Sequence, residues 1–103
     1  MSRMVRAARL DIDPARLDAY LAFLTEEIEA SIRLEPGVLM LHATARKDAP
    51  HRIELLEVYA SQSAYEAHIA SPHFLKYKQG TLDIVRSLEL IEMNEVMLAA
   101  KPG

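Results

Sequence analysis

The chain has no cysteine and no tryptophan, and only three glycines and two phenylalanines among 103 residues. Without cysteine there are no disulfides and no thiolate metal sites, which fits a reducing, cytoplasmic setting. With one glycine terminal and the others isolated, no phosphate-cradling loop or dinucleotide fingerprint is present. Nor does any serine–histidine–acid order mark a nucleophilic triad. Charge of one sign is not in excess either. Twelve basic and fifteen acidic residues give a net charge of −3. Lysine and arginine are scattered, so nothing draws the chain to nucleic acid. The opening Met1-Ser2-Arg3-Met4-Val5-Arg6 lacks the apolar run of a signal peptide. No segment approaches the roughly 20 apolar residues of a membrane span. A cytoplasmic protein with neither nucleic-acid nor membrane partners is expected.

Half of the residues are hydrophobic, enough for one packed domain over residues 1–103. Residues 4–12 read as a first strand, after which Asp13 offers an N-cap with Pro14 at the first helical position. Leu17, Leu21, Leu24, Ile28 and Ile32 then form one helical stripe, widened by Tyr20 and Phe23, with Glu26, Glu27 and Glu29 mostly off it. Pro36 pushes Glu35 out of helical geometry, so the helix ends near Arg33–Leu34. Strands 38–46 and 52–60 follow as a hairpin around the polar turn 47–51. A short helix capped by Ser61 or Ser63 stops before Pro72, and Ser71-Pro72 starts another that continues through Ile84 and Val85. Residues 87–98 read as the last strand. The order is β-α-β-β-α-β, a ferredoxin-like α+β fold with helices on one face of a four-stranded antiparallel sheet.

Both faces of the strands are apolar. Val38, Met40 and Thr44 oppose Leu39, Leu41 and Ala43; Leu88, Leu90, Val96 and Leu98 oppose Ile91, Met93 and Met97. Helices can cover only one face, so a homodimer built sheet against sheet is expected.

Chemistry-bearing side chains concentrate in residues 57–78. His68 ends one helix and His73 begins the next, and an imidazole takes a proton near neutrality. Either can be a general base, or both can be structural. Ile53, Leu55, Glu57 and Tyr59 share one strand face. Glu57 there lines a cavity or pairs with a cation such as Arg33. Tyr65, Phe74 and Tyr77 sit on apolar helix faces, as core or as pocket. A spacing of five across a proline break does not put His68 and His73 on one helix face, and nothing demands that His42 join them. No metal and no cofactor is expected. A pocket histidine should also be dispensable for folding.

Ser31-Ile-Arg-Leu-Glu-Pro-Gly37, Glu57-Val-Tyr59, Ala64-Tyr-Glu-Ala-His68 and Ser71-Pro-His-Phe74, in that order over nearly the whole chain, resemble the antibiotic biosynthesis monooxygenase (ABM) domain. The closest-looking subgroup is the bacterial quinol monooxygenases and autoinducer-2-degrading proteins. The resemblance implies a dimeric α+β barrel and a pocket between sheet and helices. It also implies oxygenation without metal or flavin, in which a deprotonated quinol or phenol itself reduces dioxygen. Such chemistry needs a base, an oxyanion donor and a dry pocket. His68 or His73 would supply the first, Tyr59 or Tyr65 the second. The tryptophan of antibiotic-pathway members is missing, and Lys78 stands in the region of the haem-ligating histidine of haem-degrading relatives. The alternatives are an isomerase or degradative enzyme for a small oxygenated metabolite, and a non-catalytic binding dimer.

Overall fold

The computed structural model describes residues 3–103 and places four antiparallel strands in the order β2-β3-β1-β4. Their bounds are β1 Met4–Ile12, β2 Val38–Arg46, β3 Ala49–Tyr59 and β4 Val85–Met93. Three helices lie on one face: α1 Leu17–Leu34, α2 Gln62–Ile69 and α3 Pro72–Thr81. The ferredoxin-like α+β arrangement expected from the sequence is the one observed.

Local chemistry sets the boundaries. Asp13 caps a single 3-10 turn over Pro14–Arg16 before α1 begins. Ser61, not Ser63, caps α2, and Ser71 caps α3 with Pro72 in its first turn. Alternation puts Ala8, Leu10 and Ile12 of β1 and Ile53 of β3 against Tyr20, Leu24 and Ile84, forming the core.

Four expectations need correction. First, α1 buries Tyr20, Leu24, Glu27 and Ser31, while Ile32 is 50% exposed. Tyr20 and Leu24 of the expected stripe are in the core with Leu17, Leu21 and Ile28 packed against it, so the departure is that Glu27 and Ser31 are inside and Ile32 is not. Second, α3 ends at Thr81, because Ile84 is drawn into the core and Val85 joins β4. Third, β3 starts at Ala49, leaving Lys47-Asp48 as the tight turn. Fourth, β4 ends at Met93, which pairs with Val5 of β1, so Val96 and Leu98 belong to no strand.

The far face of the sheet is divided. Ala7, Leu56, Ile91 and Met93 make one end apolar; Arg9, Arg52, Glu54 and Glu89 make the other end charged. The expectation of a face apolar throughout holds for only part of it.

Gly37 has a steric reason. A Cβ there would lie 2.6 Å from Ala64 Cβ of α2, far inside contact distance. In the same turn the Gly37 carbonyl accepts from Ala60 N–H at 2.8 Å. Close approach of this turn to α2 sets Glu35 beside His68. Gly37→Ala is expected to destabilise by about 1–3 kcal/mol through overpacking. Chemical denaturation checks this, and a variant as stable as the parent would contradict it.

Candidate active site

A cavity of about 540 Å³ opens between the helices and the inner face of the sheet. Leu55, Glu57 and Tyr59 of β3, Tyr65 and His68 of α2, and Phe74 and Tyr77 of α3 all line it. His73 does not. Arg6 of β1 and Glu27 of α1 line it too, and neither was a candidate from the sequence. Glu27 was detectable in principle, because it lies seven residues beyond Tyr20 on the buried line.

His68 is the centre of the polar group. Its side chain is 3% exposed, with Nε2 3.2 Å from Glu27 Oε1 and Nδ1 2.9 Å from Glu35 Oε2. The same Glu35 oxygen lies 2.6 Å from His73 Nε2. Ser31 Oγ donates to Glu27 Oε1 at 3.0 Å. Tyr59 and Phe74 pack on the His68 ring with centroids 5.4 and 5.1 Å away, so its orientation is fixed. Burial drives the His68 pKa down, but Glu27 and Glu35 reverse this and leave it raised. For Glu35 burial acts upward, and bonds to His68 and His73 outweigh it to leave the pKa lowered.

A second group lies along β3. Glu57 faces the cavity, with Arg6 opposite it in the strand register; among the described residues neither Arg6 nor Arg33 forms an ion pair with it. Tyr59 donates its hydroxyl proton to Glu57 Oε1 at 2.7 Å. Burial raises the Glu57 pKa, with Tyr59, His68 and Arg6 offsetting part of the effect. Arg6 ion-pairs with Glu92 and stacks 4.5 Å over the Tyr65 ring. On the helix side, the hydroxyls of Tyr20 and Tyr77 are 2.8 Å apart. Tyr20 is fully buried with Tyr77 as its hydroxyl's partner, so Tyr20 donating inward leaves the Tyr77 proton for the cavity.

These shifts have a stability consequence. The His68 contribution is fully present below its ordinary 6.5 and is lost as pH rises through its raised folded value. Glu57, also raised, acts in the same sense from its ordinary 4.5 upward. Glu35 is lowered, so its contribution is present above 4.5 and lost as pH falls through its folded value. The thermal midpoint should therefore be higher at about pH 6 than at about pH 9, through the raised His68. Equal midpoints at the two pH values would count against these assignments.

Glu35, His68 and His73 bring one ligand-type atom each within 4.8 Å of one another, with Glu35 rather than His42 as the third member. A tetrahedral metal with bonds of 2.0–2.1 Å holds its ligand atoms roughly 3.3 Å apart. The observed 2.6 and 2.9 Å from one carboxylate oxygen are hydrogen-bond lengths instead. The cluster fits shared protons better than a shared metal.

A ferredoxin-like sheet with an inner, histidine-bearing cavity defines an α+β small-molecule domain. The family model described as antibiotic biosynthesis monooxygenase matches residues 3–80, and the chain belongs to that family. A crystal structure from Bacteroides thetaiotaomicron, provisionally named an antibiotic biosynthesis monooxygenase, is 53% identical with a TM-score of 0.94, covering 99% of this chain and 97% of that one. A provisionally named monooxygenase from Lactobacillus acidophilus is 25% identical with a TM-score of 0.84, over 85% of this chain and 42% of that one. A Nitrosomonas europaea protein, provisionally named like the first, shares the fold at 21% identity and a TM-score of 0.85, over 91% and 90% of the two chains. No curated protein matches the chain. Among the described residues, no helix is long and apolar enough to cross a membrane.

Proposed function

We propose that the protein is a cofactor-independent, cytoplasmic monooxygenase that oxidises a small quinol or phenol with dioxygen. We further propose that it works as a homodimer with one ABM domain per chain. The observation that carries this reading is the Glu27–His68 pair in the wall of an otherwise largely apolar cavity. Glu27 Oε2 makes no protein hydrogen bond, yet Asp11 Oδ1 alone is a sealed, unpartnered side-chain atom among the described residues. Glu27 lines the cavity, and we assign that oxygen to the substrate. A substrate hydroxyl gives its proton to Glu27, and His68 shares the charge. Tyr77, supported by Tyr20, donates to the resulting oxyanion. Tyr59 holds Glu57 in place, and Leu55, Tyr65 and Phe74 contact the ring. The substrate anion supplies the electrons; one oxygen atom enters the product and the other leaves as water. Leu88 and Leu90 on β4, 45% and 51% exposed beside the cavity, support a second copy covering this edge.

Oxygen uptake with a panel of hydroquinones and naphthohydroquinones tests the reaction. Consumption above spontaneous oxidation, with one ¹⁸O atom incorporated per product, is expected. Turnover of a small oxygenated metabolite without oxygen would favour an isomerase instead, since the same acid–base groups suffice. Thermal stabilisation by ligands without turnover would favour a binding module. Light scattering should give twice the 11.6 kDa chain mass, and a monomer at micromolar concentration would overturn the dimer.

A further inference from the structure

We propose that Glu35 and His73 form a proton relay linking the cavity's Glu27–His68 pair to solvent. Four groups stand in series. Glu27 Oε1 is 3.2 Å from His68 Nε2, His68 Nδ1 is 2.9 Å from Glu35 Oε2, and that oxygen is 2.6 Å from His73 Nε2. Side-chain exposure rises along the series, from 6% and 3% at Glu27 and His68 to 15% and 14% at Glu35 and His73. At the inner end, Glu27 and His68 line the cavity; at the outer end, Glu35 and His73 do not. Among the described residues His73 Nδ1 has no hydrogen-bond partner and is not sealed, and its side chain is part-exposed at the outer end.

The arrangement is held from several sides. Ser71 Oγ bonds the His68 carbonyl at 2.7 Å and caps the helix that starts with Pro72-His73. Close contact between Gly37 and Ala64 keeps the Glu35 turn against α2. The charged and titratable groups around the inner end are Glu27 and Glu35 from α1 and its cap, Glu57 and Tyr59 from β3, and Arg6 from β1. A histidine serving only to fill space would not need a carboxylate on each side and a second imidazole beyond.

The proton count is simple. Where His68 is neutral with its own proton on Nδ1, a proton accepted by Glu27 moves to His68 Nε2 to give the imidazolium, whose Nδ1 proton then moves to Glu35. Glu35 passes it to His73 Nε2 when that ring carries its own proton on Nδ1, and water takes the Nδ1 proton. No electrons move and no bond other than N–H and O–H changes. This path matters because a substrate filling the cavity mouth would block direct loss of its proton. Glu35 and His73 thus act through His68 as positioning and relay residues. The direction of use, outward from the substrate, rests on the function proposed above; the path itself does not.

Solvent exchange of the His68 ring N–H protons, followed by NMR in ¹⁵N-labelled protein without substrate, tests the relay. His73→Phe should slow that exchange at least about tenfold while amide exchange in β1 and β3 stays unchanged. His73→Ala should be slow too, and added imidazole should restore its exchange in proportion to concentration. If His73→Phe does not fold, His73→Asn replaces it. Unchanged or faster His68 exchange in a folded variant, or failure of imidazole to rescue, would overturn the proposal. Relay-dependent exchange in a protein that consumes no oxygen would sink only the oxygenase reading. Oxygen consumption with relay-independent exchange would sink only the relay.

Discussion

Replacing His68 by alanine is expected to destabilise the protein by about 3–5 kcal/mol, the usual cost of removing one partner from a buried ion pair. The imidazole lies between Glu27 and Glu35, both within 3.2 Å, and all three side chains are at most 15% exposed. Without it, two carboxylates face each other across a hole with no cation to separate them. A further part of the loss is packing, since Tyr59 and Phe74 both rest on the ring. The sequence-level expectation that a pocket histidine is dispensable for folding is therefore revised. His73→Ala should cost much less, because His73 meets Glu35 alone and lies nearer the surface. Urea denaturation near pH 6 compares the two directly, and similar losses would mean that His68 is not the charge on which the cluster depends.

Much of the fold was legible because its signals are local. Ser61, Ser71-Pro72 and Pro36-Gly37 each fix an α-helix end through one cap or one forbidden conformation, and the structure follows them; Asp13-Pro14 instead opens a 3-10 turn, and α1 starts only at Leu17. The errors arose where tertiary packing chose among local options. Residues 94–98 continue the apolar pattern of β4, but a strand needs a partner, and the pairing with β1 stops at Val5–Met93. The stripe of α1 holds as far as Ile28, yet Glu27 and Ser31 are buried beside it and Ile32 is not.

The site divides in the same way. Residues on β3, α2 and α3 were found because chemistry-bearing types crowd one short stretch, and all but His73 line one cavity. Glu35 was read only as the residue before a proline. Its carboxylate lies 33 positions from His68 in sequence, and no spacing rule connects a helix C-cap to a later helix. Proline nevertheless produces the contact indirectly. It ends α1, turns the chain toward α2, and leaves the side chain at the C-cap facing both histidines.

Glu27→Gln is expected to lower oxygen-dependent turnover about 10²–10⁴-fold, the usual worth of a positioned general base. The amide is nearly isosteric and can still accept from Ser31 Oγ through its carbonyl oxygen, so the helix line and the cavity should keep their shape. What it cannot do is take a proton from a substrate hydroxyl. The Gln also leaves His68 with Glu35 as its only carboxylate partner, so the His68 pKa should fall toward its ordinary value. A ¹³C or ¹⁵N NMR titration of the ring reads that shift independently of catalysis. Glu57→Gln is the contrast, since burial already favours its protonated form and the amide mimics that state. It should reduce turnover far less. If Glu57→Gln abolishes activity on a confirmed quinol while Glu27→Gln spares it, the base belongs to the Glu57–Tyr59 pair, and the Glu27–His68 pair is structural.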